Sequence, residues 1–133
     1  MIKKKAYFFA EPIEYTIDYQ GRYNIPAVHR KTLKIIDASY TKHGFYISAS
    51  DNNFVRAFPQ SYREREIERH LDMPSENKDR LAFFSSKLSY LDAQGRITLP
   101  KKFEGLEKAV CVANGDFLDI WKPGAFKKYM ESA

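Results

Sequence analysis

Two short stretches of this chain carry the side chains best suited to gripping a polyanion. Asp18-Tyr19-Gln20-Gly21-Arg22 and Asp92-Ala93-Gln94-Gly95-Arg96 place Asp, Gln, Gly and Arg at identical spacing. Asp-x-x-Gly is a tight-turn signature. The carboxylate accepts from backbone N–H groups where the turn begins, and glycine takes the positive-φ position. An arginine just beyond such a turn is projected from it, and its planar fork fits a phosphate or the O6/N7 edge of guanine. The aspartate four residues earlier would hold that fork in place. One good bidentate base contact gives about 1–3 kcal/mol of discrimination, so two arginines alone would bind weakly. Several linked subunits would remedy this by raising the effective concentration of each later contact. Against this stands a purely structural reading, with Asp and Gly as turn formers and Arg22 and Arg96 as internal ion-pair partners.

Further cations follow each motif: Arg30, Lys31 and Lys34 after the first, Lys101 and Lys102 after the second. Together with Lys3, Lys4 and Lys5 they would supply salt-sensitive phosphate contacts, or else form ordinary solvated surface and a frayed end. The net charge is +5, distributed as +4 over residues 1–62, −1 over 63–80 and +2 over 81–133. Such a mild surplus is compatible with nucleic acid without requiring it.

Catalytic chemistry finds no support. His29, His43 and His70 share no metal-ligand spacing, the lone Cys111 lies mid-strand, and there is no nucleophile elbow or phosphate-binding glycine loop. No metal or cofactor is expected. A single cysteine excludes an internal disulfide and suits a reducing compartment. The basic opening is followed by too short an apolar run for a signal peptide, and no apolar stretch is long enough to span a membrane.

The elements that must position the motifs come from an internal repeat. Asp18 to Pro26 aligns on Asp92 to Pro100 without gaps. Phe54-Val55-Arg56-Ala57-Phe58 matches Phe117-Leu118-Asp119-Ile120-Trp121 in pattern, so the offset drops from 74 to 63 and the first copy holds the extra residues, around 35–46. In each unit a strand leads into the turn (Glu14 to Ile17 in the first), and a second strand follows it (Tyr23 to Ile25). Pro26 and Pro100 fit the first turn of a short helix, expected over residues 27–34 and 101–103. A hairpin then closes each unit. The second is expected to turn at Asn114-Gly115, and its looser counterpart pairs residues 45–49 with 54–58. Between the units, Ser61-Tyr62-Arg63-Glu64 is a capping-box pattern for a charged helix to about Leu71, with a second helix over 76–84. Residues 122–129 form a short closing helix. The expected domains are 10–61 and 87–131, joined by a helical connection over 62–86. The expected class is α+β, mostly β, with the two units paired about a pseudo-two-fold axis.

The pattern Asp-x-x-Gly-Arg-x-x-(Ile/Leu)-Pro, then a helix, then a hairpin, resembles the AbrB/MazE swapped-hairpin family. Two copies in one chain are similar to the MraZ family, as is Gly105 to Val110 followed by Ile120-Trp121. The resemblance covers residues 8–131. It implies two swapped-hairpin units in one β-barrel and a bacterial transcriptional regulator of the cell-division and cell-wall gene cluster. It also implies a cytoplasmic, nucleoid-associated homo-oligomer, assembled as a ring, on double-stranded DNA with repeated short operator boxes. Neither a membrane nor a small-molecule substrate is implied. Asp18, Arg22, Asp92 and Arg96 would lie on the DNA-facing surface. The alternative is an antitoxin-like protein whose main partner is another protein.

Overall fold

The computed structural model describes residues 12–36, 44–48, 52–71, 86–114 and 117–132. The expected Lys3 to Lys5 contacts and the helix over 76–84 lie outside them. The elements in chain order are β1 (Ile13–Thr16), β2 (Arg22–Asn24), α1 (Ala27–Ile36), β3 (Phe45–Ser48), β4 (Phe54–Pro59), α2 (Gln60–His70), β5 (Lys87–Ser89) and β6 (Arg96–Thr98). A single 3-10 turn (Lys101–Phe103) precedes β7 (Lys108–Asn114), β8 (Phe117–Trp121) and α3 (Pro123–Ser132). The α+β, mostly β class is what the chain forms.

The strands do not stay within their own units. β1 adds to the second unit's hairpin, with Ile13 opposite Cys111 and Thr16 opposite Lys108. β5 adds to the first unit's hairpin, with Phe45 opposite Ser89. β2 and β6, one from each unit, pair with each other. The six-stranded antiparallel sheet therefore has the palindromic order β1-β7-β8-β4-β3-β5, and β2-β6 forms a separate two-stranded sheet. Among the described residues the six-stranded sheet does not close on itself into the implied barrel, and β2-β6 stands as its own ladder. Local pairing across the first turn is reduced to one bridge, Ile17 to Tyr23.

Two registers mark the approximate two-fold axis. Under the 74-residue offset the β2-β6 pairing is centred on Tyr23 opposite Ile97, and both residues are buried. Under the 63-residue offset Arg56 corresponds to Asp119, and these two face each other where β4 meets β8.

The main core lies between the two sheets. Tyr23, Ile25, Ile97, Leu99 and Phe103 from the turn side pack on Phe45, Val55, Ala57, Cys111, Leu118 and Ile120 from the large sheet. Alternation along β4 and β8 sends the intervening residues to the opposite face. There Phe54, Phe58, Phe117 and Trp121 meet Tyr62 of α2 and Phe126 and Tyr129 of α3, with ring centroids 4.6–5.7 Å apart. β7 is buried on both faces, which explains its unbroken apolar run Ala109-Val110-Cys111-Val112-Ala113.

Several boundaries differ from expectation. α2 begins at Gln60 behind Pro59, whose side chain makes no capping bond, so Ser61 sits inside the helix rather than capping it. Gln60 instead donates to Glu64, one turn on, at 2.8 Å. Pro26 and Pro100 immediately precede their helical turns and offer carbonyls to the first N–H groups. Asn114 is the last residue of β7, opposite Phe117, so residues 115 and 116 make the link and their conformation lies outside the described residues.

Candidate nucleic-acid interface

Both Asp-x-x-Gly-Arg motifs fold as the same turn. Asp18 Oδ1 accepts from the backbone N–H of Gln20 at 2.9 Å and of Arg22 at 2.8 Å. Asp92 Oδ1 accepts from Gln94 at 2.8 Å and Arg96 at 2.9 Å. The backbone N–H of each aspartate donates to its arginine's carbonyl at 2.9 Å, and each glycine N–H donates to its aspartate's carbonyl. Gly21 and Gly95 take φ of 77° and 78°, the conformation that glycine alone enters without strain.

The second carboxylate oxygen of each aspartate holds its arginine. Arg22 Nε donates to Asp18 Oδ2 and Arg96 Nε to Asp92 Oδ2, both at 2.8 Å. The backbone N–H of the arginine, more than any other contact, keeps each carboxyl below its ordinary pKa, with the guanidinium bond adding to it. Both aspartates are therefore anions at neutral pH and anchor their arginines by charge-assisted bonds.

Exchange of β2 and β6 brings the two turns together. Ile25 N–H donates to the Gly95 carbonyl and Leu99 N–H to the Gly21 carbonyl, at 3.2 and 2.9 Å, so each return strand is tied to the other unit's turn. Arg96 Nη1 reaches Asp18 Oδ2 at 3.7 Å, joining four side chains from two distant motifs in one cluster. The ion-pair reading and the contact reading of the arginines coincide here. Each is paired, yet the Arg22 side chain keeps 32% and the Arg96 side chain 23% of its exposure.

The other expected cations distribute unevenly. Arg30 lies against the second turn. It approaches Asn24 at 3.4 Å, and its guanidinium lies where a side chain on Gly95 would go. Lys101 is exposed and lines a cleft of about 500 Å³ beside the first turn, with Tyr19, Gln20 and Glu104. Lys31 is exposed on α1. Lys102 points elsewhere, its Nζ donating to the Phe54 carbonyl at 3.1 Å, and so fastens the 3-10 turn to β4. Residue-type reasoning passed over Tyr19. It stands 93% exposed at the turn apex, and the alignment of Tyr19 with Ala93 was the signal for it.

Fold and site together define a duplicated, strand-exchanged protein that presents paired aspartate-anchored arginines from two turns on one surface. The chain is 32% identical, over a 136-residue alignment covering 95% of it and 88% of the relative, to the transcriptional regulator MraZ of Rickettsia bellii. It is 29% identical to that of Rickettsia peacockii, over 88% of this chain and 83% of the relative. It is 26% identical to that of Mycolicibacterium smegmatis, over 87% and 82%. No family model matches. The chain belongs to the MraZ family.

Proposed function

We propose that the chain is a transcriptional regulator that binds double-stranded DNA sequence-specifically through the paired turns. The observation that carries this reading is the joining of Asp18, Arg22, Asp92 and Arg96 into one partly exposed cluster, with both guanidiniums anchored through Nε. Anchoring through Nε leaves the Nη groups of Arg22 with no protein partner among the described residues, so they are available to a base edge or phosphate. The relatives' names, transcriptional regulator MraZ, agree with this role. Arg30, Lys31 and Lys101 add cations for the phosphate backbone. In this reading the target is the cell-division and cell-wall gene cluster, read as repeated short boxes by a homo-oligomeric ring in the bacterial cytoplasm, at the nucleoid. Multiple subunits supply the affinity that two arginines cannot.

The test is competition, at about 150 mM salt because affinity depends steeply on salt, between DNA from upstream of the chain's own gene and an unrelated duplex of equal length. Preference for the upstream DNA is expected, and Arg22→Ala with Arg96→Ala should reduce it about tenfold or more while the particle mass stays unchanged. Equal or absent binding by the folded wild type would overturn the reading and favour the protein-partner alternative.

A further inference from the structure

We propose that the two turns do different work on DNA: the Asp18–Arg22 turn, with Tyr19, reads base edges, and the Asp92–Arg96 turn is a braced mount that grips backbone phosphate. This division rests on the DNA-binding reading above. Three departures from the internal symmetry carry it.

The first departure is in the ion pairs. Arg96 faces two carboxylates, Asp92 at 2.8 Å and Asp18 at 3.7 Å, whereas among the described residues Arg22 pairs with Asp18 alone. A fork held from two sides loses two favourable contacts when it swings out, and one held only through Nε can present its Nη pair by rotating about that bond.

The second is in the packing. The Arg30 guanidinium covers Gly95, while the space above Gly21 is open to 4 Å. Under the 74-residue offset the counterpart of Arg30 is Glu104, so only one turn carries this brace. Arg30 thus brings a second guanidinium to the Gly95 turn, where Arg96 already meets the carboxylates of Asp92 and Asp18. A second cation at this turn suits phosphate, which is the same on every nucleotide.

The third is at the apex. Tyr19 is 93% exposed where its counterpart is Ala93. An uncovered phenol beside Arg22 offers a ring face for a thymine methyl and a hydroxyl for a polar edge, so it adds sequence information on this turn only.

The experiment measures affinity for the upstream duplex and for an unrelated duplex, across a salt series, with the wild type and single variants. Arg22→Ala and Tyr19→Ala are each expected to reduce the preference about tenfold with little change for the unrelated duplex. Arg96→Ala is expected to weaken both duplexes alike, keep the preference, and lower the salt slope by about one. Arg22→Lys and Arg96→Lys guard against misfolding by retaining the charge. The first should still lose preference, since an ammonium lacks the fork, and the second should behave nearly as wild type. Equal loss of preference from Arg22→Lys and Arg96→Lys would overturn the division while leaving DNA binding intact, as would an unchanged preference in Tyr19→Ala. A wild type without preference would overturn the division together with the reading beneath it.

Discussion

Gly21 and Gly95 hold the same backbone angle and the same place in the motif, but their surroundings differ. Gly21 has nothing within 4 Å of where a side chain would begin, and Gly95 has the Arg30 guanidinium there. Asparagine tolerates positive φ better than other side chains. Gly21→Asn should therefore melt close to the wild type. Gly95→Asn must expel Arg30 and should lose about 1 kcal/mol more, the typical worth of one lost polar contact. Thermal unfolding of the two variants side by side checks this. Equal melting temperatures would show that Arg30 does not brace the turn. The turn itself was legible from Asp-x-x-Gly. The Arg30 contact was not, because α1 meets the other unit's turn only after the strands have exchanged.

At the scale of elements, the two helical pieces after the prolines look equivalent in the repeat but form differently. α1 runs for ten residues, whereas its counterpart is one 3-10 turn ended by Gly105 at φ 86°. The adjacent Lys101 and Lys102 consequently have opposite fates. Lys101 remains exposed near the first turn, and Lys102 bonds the carbonyl of Phe54. Lys101→Ser should reduce the salt slope of DNA binding by about one if it touches phosphate. Lys102→Ser should leave that slope unchanged and lower stability by about 1 kcal/mol through the lost hydrogen bond. A changed slope in Lys102→Ser would mean that this lysine leaves β4 to meet DNA. Sequence could not separate the pair, since adjacent lysines in a solvent-facing motif are chemically alike until a carbonyl lies within reach of one.

For the whole molecule, the decisive contact is the one on the two-fold axis between β4 and β8. Arg56 grips Asp119 through two bonds of 2.8 and 3.1 Å, and its guanidinium lies 3.8 Å from the centre of the Phe117 ring. The Asp119 side chain is only 3% exposed, against 34% for Arg56. Removing either partner is therefore not symmetric. Arg56→Ala leaves a buried carboxylate without its bidentate partner and should cost about 3 kcal/mol, whereas Asp119→Ala leaves a guanidinium that can turn toward water and should cost less. Denaturant titration of both variants tests the order, and the double exchange of Arg56→Asp with Asp119→Arg should recover part of the loss. The pair also favours joining a first unit to a second. Two first units meeting in this way would set arginine against arginine, and two second units aspartate against aspartate.

The sequence by itself determined the duplication, the two turns with their positive-φ glycines, most of the strand positions and the residue types at the candidate interface. These follow from local rules: side-chain-to-backbone bonding at aspartate, glycine's freedom, and alternation along strands. Only the tertiary structure decided which strands pair. A β-strand carries unsatisfied N–H and C=O groups along both edges and accepts any partner of suitable register, so local pattern cannot tell a hairpin from an exchange. Once β2 pairs with β6 and β1 with β7, the two motifs fall into one cluster, Arg30 reaches the far turn, and Arg56 meets Asp119. The identical motifs become unequal because their neighbours come from the opposite unit, and the two units differ in residues 74 or 63 positions apart.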